Sequence, residues 1–385
     1  MQRAHLDDPD EPHGFTEGKP EVRRHIMEFA DQYATPEISK QVMTISERAV
    51  HVQNEFLRCN GSTSKVCPGF QTLRDDAPQL VQFARMMAFE QYIAMLAFYD
   101  PLGDWARYSN ILKGHQPDAG LIKYSSDQLI GRSLRFRANQ ESQATFDNLE
   151  AGACSFIVAA AGSGFNVETG LRAFFDHYDG KKKVDIYPID NSVRALKHFA
   201  HRFDDLAASG VKIHPILRDL LHPALIDRDH LTAPLRRTIM THEFPRLDFS
   251  EVPRHVDVST LYGFGMYIPR YNFTFPPVDP SKKRSLLAGK IHMMGLTGVL
   301  ASLWNHSDQV TFDLIAPPVI GPDGDAARLQ CALIPILLGG RSLNQTPEED
   351  AIAMIEEACP SAGLIDKFSA SGLMFDIYTK RRLNT

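Results

Sequence analysis

The chain has 385 residues, long for one ordinary domain and enough for two closely packed units. Hydrophobic residues make up 43% and charged residues 23%, the proportions of a soluble globular protein, which excludes a disordered, collagen-like or multi-span membrane chain. With 41 Lys and Arg against 47 Asp and Glu, the formal charge of -6 offers no general attraction to nucleic-acid phosphates or anionic lipid, so neither a nucleic acid nor a membrane is expected as a partner.

Residues 1–19 are acidic and carry no apolar stretch behind a basic patch, so they read as a flexible tail and not as a secretory signal. Residues 20–150 read as all-helical. Ile38, Val42, Ile45, Ala49, Val52 and Phe56 fall on one helical stripe, with Thr35 and Pro36 as cap and first helical residue. The run Leu80 to Tyr99 is long enough to cross a bilayer, yet it contains Gln82, Arg85, Glu90 and Gln91, each costly in hydrocarbon, and is expected as a buried helix. Helical pattern returns around Ser125 to Ile130 and from Asn139 to Leu149. This front third is expected to serve packing or homodimerisation, the alternative being a lid over a site in the following domain. Within it, Arg132, Arg135 and Arg137 alternate with apolar residues. If they share a side they would bind a carboxylate, which makes Arg137 and Asn139 candidates for a substrate or carboxylate site; otherwise they are solvated charges.

At Ser155 the pattern changes to SFIVAAAGSGFN, a short apolar run followed by Gly162-Ser163-Gly164 and the helical stretch VETGLRAFFDHY. Strand, glycine turn and helix in that order bring a ligand against bare backbone at a helix N-terminus. VDIYPIDNS then reads as a second strand ending in Asp190, VRALKHFAHRFDDLAASG as a second helix, and VKIHPILRD as a third strand ending in Asp219. The alternation predicts a parallel sheet covered on both faces, a Rossmann-like α/β fold with ligands at the carboxyl ends of its strands. Asp190 stands where an acid accepts both ribose hydroxyls, and Asp219 where one accepts an adenine amino group. The plainer alternative makes both acids helix N-caps. Val167 occupies the third glycine position of a dinucleotide motif, and no phosphate-loop GKS or GKT is present.

AAAGSG, YPIDNS and ILRD, with HVDVSTLY as a fourth strand, resemble the class I S-adenosylmethionine-dependent methyltransferases over about residues 140 to 380. The end of the chain agrees: TPEEDAIAMIEEACP reads as an amphipathic helix, and AGLIDKFSASGLMFDIYTKR as two closing strands around Ser369 to Gly372, like that family's antiparallel final hairpin. The resemblance implies a catalytic domain over 151–385 that binds S-adenosylmethionine through Ala161, Gly162, Ser163, Gly164, Asp190, Asn191 and Asp219. It also implies a small-molecule partner, or the cofactor alone as substrate. AGSGFNVETGLRAF with YPIDNSVRALK is further similar to carboxyl and polyketide O-methyltransferases.

One departure matters. Most members of that family carry an acid just before the glycines that helps hold the cofactor's ammonium, and Phe156 to Ala161 contains none. A similar acid-free motif occurs in nicotianamine synthases and azetidine-2-carboxylate synthases. Methyl transfer is expected first, with use of the aminocarboxypropyl arm and release of methylthioadenosine as the alternative, and a binding protein without catalysis as the third. Tyr262, in an aromatic stretch with Phe264, Tyr267, Tyr271 and Phe273, is the candidate catalytic residue of the acceptor pocket. His242 and His255 are possible bases. The run LLAGKIHMMGLTGVLASLW is expected as one helix, its Ala288, Gly289, Gly295 and Gly298 suited to close packing. The histidines form no HxxxH or HxH array, so no metal is expected, and the five scattered cysteines read as reduced thiols of a cytoplasmic protein.

Overall fold

The computed structural model describes residues 129–150, 152–178, 182–221, 250–265, 268–275, 291–316, 344–361, 363–369 and 375–382. The stripe at 38–56, the helix at 80–99, and Tyr267 and His242 lie outside them.

The first described element is helix α1, Leu129–Glu150. It leads through a turn at Gly152 into strand β1, Ser155–Ala159, and helix α2, Phe165–Tyr178. Strand β2, Val184–Asp190, and helix α3, Val193–Arg202, follow, then a 3-10 turn, Asp204–Ser209. Strands β3, Val211–Ile213, and β4, Ile216–Leu217, form one interrupted edge along β2. The break falls opposite Tyr187 and Pro188, and a proline, having no N–H to donate, suits a place where the ladder pauses. Beyond β5, Val256–Leu261, a small antiparallel pair is made by β6, Phe273–Phe275, and β7, Ile291–Met293. Helix α4, Leu296–Asn305, strand β8, Ser307–Ile315, helix α5, Glu348–Ala358, and strands β9, Gly363–Ser369, and β10, Phe375–Arg382, complete the chain.

Eight strands form one sheet in the order β3-β2-β1-β5-β8-β10-β9, with β4 also on β2. Pairings from β3 to β8 are parallel, whereas β10 runs antiparallel to both β8 and β9. This is the Rossmann-like α/β sheet expected from the alternation, closed by the expected reversed hairpin. Successive residues of β1 point to opposite faces: Phe156 and Val158 enter the core under α1, α2 and α3, while Ile157 and Ala159 enter the core under α4 and α5. Burial on both sides is why this strand reads as an uninterrupted apolar run.

Two expectations are corrected. The run from Leu286 to Trp304 is not one helix: β7 occupies Ile291–Met293, and α4 starts only after Gly295, its extended N-cap. A Cβ at Gly295 would lie 2.2 Å from the Tyr271 carbonyl carbon, so this glycine allows backbone to pass backbone between β6 and α4. Ala288 and Gly289 lie outside the described residues. The second correction concerns the arginines. Residues 132–143 belong to a single helix, in which Arg135 and Arg137 are turned about 200° apart, so alternation cannot gather their side chains on one side. The side chains of Arg132 and Arg135 lie outside the described residues; Arg137 is buried.

Helix α1 packs on α2. Gly170 makes the crossing close: its N–H donates to Ser142 Oγ at 2.6 Å, and a Cβ there would sit 2.1 Å from the Ser142 carbonyl.

Candidate functional site

Parallel strands β1, β2 and β5 end together at one edge of the sheet. Between β1 and β5 the strand order reverses, the position at which open parallel sheets bind ligands. The glycine turn stands over that edge. Ala160 at φ 52, Gly162 at φ 51 and Gly164 at φ 77 all take left-handed backbone, which turns the chain from β1 into α2 within a few residues. Among the described residues a Cβ added to Gly162 meets nothing within 4 Å, whereas one at Gly164 would come within 2.8 Å of Phe199. Gly164 is glycine for packing; Gly162 presents bare backbone to open space.

Two groups brace the turn. Asp190, at the end of β2, accepts from Gly162 N–H through Oδ2 at 2.9 Å and from Ser192 N–H through Oδ1 at 2.8 Å, tying the turn to the start of α3. Burial pushes its carboxyl above the ordinary range, against the pull of these backbone donors. On the other side Arg202, buried at the end of α3, donates through Nε to the Ser163 carbonyl at 2.7 Å, pairs with Glu168 and lies over the Phe165 ring. Ala161 N–H donates to the Ile189 carbonyl at 3.1 Å, and its own carbonyl accepts from Gly164 at 3.0 Å. Asn191 is exposed beside Asp190. Asp219 is half-buried, and its Oδ1 accepts from Leu221 N–H at 2.9 Å in a local turn; its charge is felt at Asp190. Asp190 is therefore not the N-cap of α3, because Ser192 Oγ takes that role on Ala195 N–H.

A second group of side chains lies at the ends of β5 and β8. Tyr262 follows β5 directly and is buried, with Thr145 of α1 beside its hydroxyl. Burial, then the charge of Glu141, holds its hydroxyl far above the usual tyrosine range, so it stays protonated. Glu141 and Asp313 are fully buried beside it. Arg137 Nε is 3.0 Å from Glu141 Oε1 and Arg137 Nη1 is 3.7 Å from Asp313 Oδ2, with the guanidinium over the Phe375 ring. Gly263 N–H, just beyond Tyr262, donates to Asp313 Oδ1 at 2.6 Å. Asn166, in the first turn of α2, donates to Glu141 Oε2 at 2.5 Å and links this cluster to the glycine turn.

The structure therefore brings Ala161, Gly162, Ser163, Gly164, Asp190 and Asn191 to one corner of the sheet edge, and Tyr262 with Arg137 to the neighbouring one. Asn139 does not join them: its Oδ1 faces the Thr169 hydroxyl at 3.4 Å between α1 and α2. His255 is exposed and pairs with Asp308, and Tyr271 is 59% exposed, so neither faces the cluster. Glu141 and Asp313 escaped the sequence reading. Their one sequence signal is the Arg137-Glu141 spacing of four on a helix, an ordinary surface pattern that here points inward.

No protein-family model matches the sequence, and no curated protein does. Among solved structures, an O-methyltransferase family protein from Burkholderia thailandensis matches at 12% identity over 79% of this chain and 71% of that one, with a TM-score of 0.38. Magnesium protoporphyrin IX methyltransferase from Synechocystis, solved with S-adenosylmethionine, matches at 10% identity over 76% and 97%, with a TM-score of 0.38. The methyltransferase domain of citrinin polyketide synthase matches at 9% over 84% and 71%, with a TM-score of 0.43. Identities this low, with TM-scores below one half, assign no activity. Among the described residues no helix is long and apolar enough to cross a membrane, and no three His, Cys, Asp or Glu side chains are grouped to hold a metal ion.

Proposed function

We propose that the chain binds S-adenosylmethionine at the β1–β2–β5 edge and transfers its methyl group to a small molecule. The observation that carries this is the Asp190 carboxylate at the end of β2, bonded to Gly162 N–H beneath a turn whose Cβ position is open. A nucleoside fits this donor set: each Asp190 oxygen keeps a lone pair for a ribose hydroxyl, and Asp219, one strand further along, offers an acceptor to an adenine amino group. The S-adenosylmethionine-family reading of AAAGSG, YPIDNS and ILRD puts the same residues to the same uses.

The cofactor, when bound, supplies a sulfonium whose methyl is open to in-line attack by a nucleophile. The protein's part is orientation and exclusion of water. Arg202 and Asp190 hold the turn from both sides, so its backbone is set before the ligand arrives. Tyr262, kept neutral by burial and two neighbouring acids, offers a hydrogen bond without becoming a nucleophile itself.

The test is incubation of the purified chain with S-adenosylmethionine, alone and with extracts of small molecules, followed by mass spectrometry. Adenosylhomocysteine with a methylated product supports methyl transfer. Methylthioadenosine would instead identify use of the aminocarboxypropyl arm, and binding without either product a protein that has lost catalysis.

A further inference from the structure

One guanidinium stands between the two corners of the proposed site. Asn166, in the first turn of α2 and two residues beyond the glycine turn, donates to Glu141 Oε2 at 2.5 Å. Arg137 lies one turn back along α1, about 6 Å of helix rise. Its Nε is 3.0 Å from Glu141 Oε1 and its Nη1 is 3.7 Å from Asp313 Oδ2. The other oxygen of Asp313 receives the Gly263 N–H at 2.6 Å, directly after Tyr262. The contacts thus run from α2 through α1 to β8 and on to the backbone beyond β5.

Two features make this link stiff. The guanidinium is 3% exposed and lies over the Phe375 ring, 4.5 Å from its centroid, which holds its plane. Helix α1 is also locked against sliding along α2, because Ser142 Oγ accepts the Gly170 N–H at 2.6 Å where a Cβ on residue 170 would strike the Ser142 carbonyl. Arginine suits the middle position for a geometric reason. Its planar fork reaches two carboxyl groups with two different nitrogens, whereas a lysine ammonium is a single point charge on a flexible stem.

We propose that Arg137 is a positioning residue: through Glu141 and Asn166 on one side and Asp313 on the other, it fixes the distance between the glycine turn and the backbone at Gly263. The inference rests on the proposed S-adenosylmethionine site and adds to it a residue of α1 that acts only through its neighbours. Transfer requires the reacting atoms in line and about 3–3.5 Å apart, so the corner that holds the donor and the corner that holds the acceptor must keep a set spacing. One turn of α1 sets it. A nucleoside that holds the glycine turn then also holds Gly263, whose N–H meets solvent only when Asp313 releases it. In the complex that release also requires loosening the bound turn, so it becomes rarer.

The experiment is amide hydrogen exchange of the full chain, read by mass spectrometry on peptides covering 161–166 and 261–265, with and without S-adenosylhomocysteine. With the nucleoside at about a hundred times its Kd, exchange in the wild type should slow up to about 100-fold in the first peptide and at least about tenfold in the second. Arg137→Lys should keep the slowing at 161–166 and reduce that at 261–265 to less than about twofold. Asn166→Ala, at a half-buried position, cuts the link at its other end and should give the same split; it carries the test if the lysine variant does not fold. Each slowing is a ratio within one variant, so a loss of stability shared by the free and bound forms cancels. Slowing at 261–265 that survives in either folded variant means that the nucleoside reaches Gly263 without Arg137, and overturns the inference. Wild-type slowing confined to 161–166 also overturns it, while the cofactor site stands. If S-adenosylhomocysteine does not bind the wild type, the proposed cofactor site falls and the inference with it.

Discussion

Asp190→Asn separates the structural and the ligand-binding work of one carboxylate, because the amide has nearly the same shape and half the acceptors. In the folded protein Oδ2 receives Gly162 N–H and Oδ1 receives Ser192 N–H. Whichever way the asparagine amide turns, its NH2 faces one of those donors. One charge-assisted bond is lost, a backbone donor is left unsatisfied beneath the turn, and the surviving bond is to a neutral oxygen. Together these should cost about 2–4 kcal/mol of folding stability. Burial offsets part of this, since a neutral amide avoids the desolvation that raises the Asp190 carboxyl.

The same change should weaken S-adenosylhomocysteine roughly 10- to 150-fold, the equivalent of about 1.5–3 kcal/mol for a hydrogen bond to a charged acceptor. Urea denaturation followed by circular dichroism gives the first number and titration calorimetry the second. A variant with wild-type stability would mean that Asp190 does not hold the turn. Lost stability with unchanged affinity would mean that it holds the turn and touches no nucleoside.

Gly162→Ala should abolish nucleoside binding while lowering stability by only about 1–2 kcal/mol, the cost of left-handed backbone in a residue whose Cβ meets none of the described residues; normal binding by calorimetry would put the ligand elsewhere. Arg202→Ala removes the bond to the Ser163 carbonyl and the pairing with Glu168, and should cost about 1–3 kcal/mol. Amide exchange should rise at residues 161–166, and unchanged exchange there would refute the brace. Stability should also depend on pH. The raised carboxyl of Glu141 binds a proton in the folded chain that it does not bind when unfolded. Its contribution is fully present below its unfolded pKa of about 4.3 and is lost as pH rises through the folded value. Denaturation midpoints of the wild type should therefore fall toward neutral pH more steeply than those of Glu141→Gln, and parallel pH profiles would place the proton elsewhere. Asp257 works in the opposite sense: donors from Cys154 and Ser155 outweigh its burial and hold it low, so its contribution is lost as acidification passes below the ordinary aspartate range.

What could be read from the sequence was local, and what could not was produced by chain crossing. Strand, turn and helix from Ser155 to Tyr178 are encoded within a single window, because a short uninterrupted apolar run gives way to a period near 3.6 across glycines whose φ values only a residue without Cβ adopts freely. Asp190 and Asp219 could be placed at strand ends for the same reason. The helix expected from Leu286 onward failed because apolar composition does not reveal that Gly295 is wedged against Tyr271, a contact made by a segment more than twenty residues away. Glu141 and Asp313 failed for a stronger reason. Each is an ordinary acid in its own segment, one in a helix of low amphipathic character and the other in a strand that alternates weakly, and 172 residues separate them. Only the parallel pairing of β8 with β5, and the packing of α1 across α2, put the two carboxyls against one guanidinium. The missing acid of the glycine motif was sought next to the glycines because motifs are linear. In three dimensions the first turn of α2, which follows the glycines directly, meets α1 through the hydrogen bond that Asn166 donates to Glu141 at 2.5 Å.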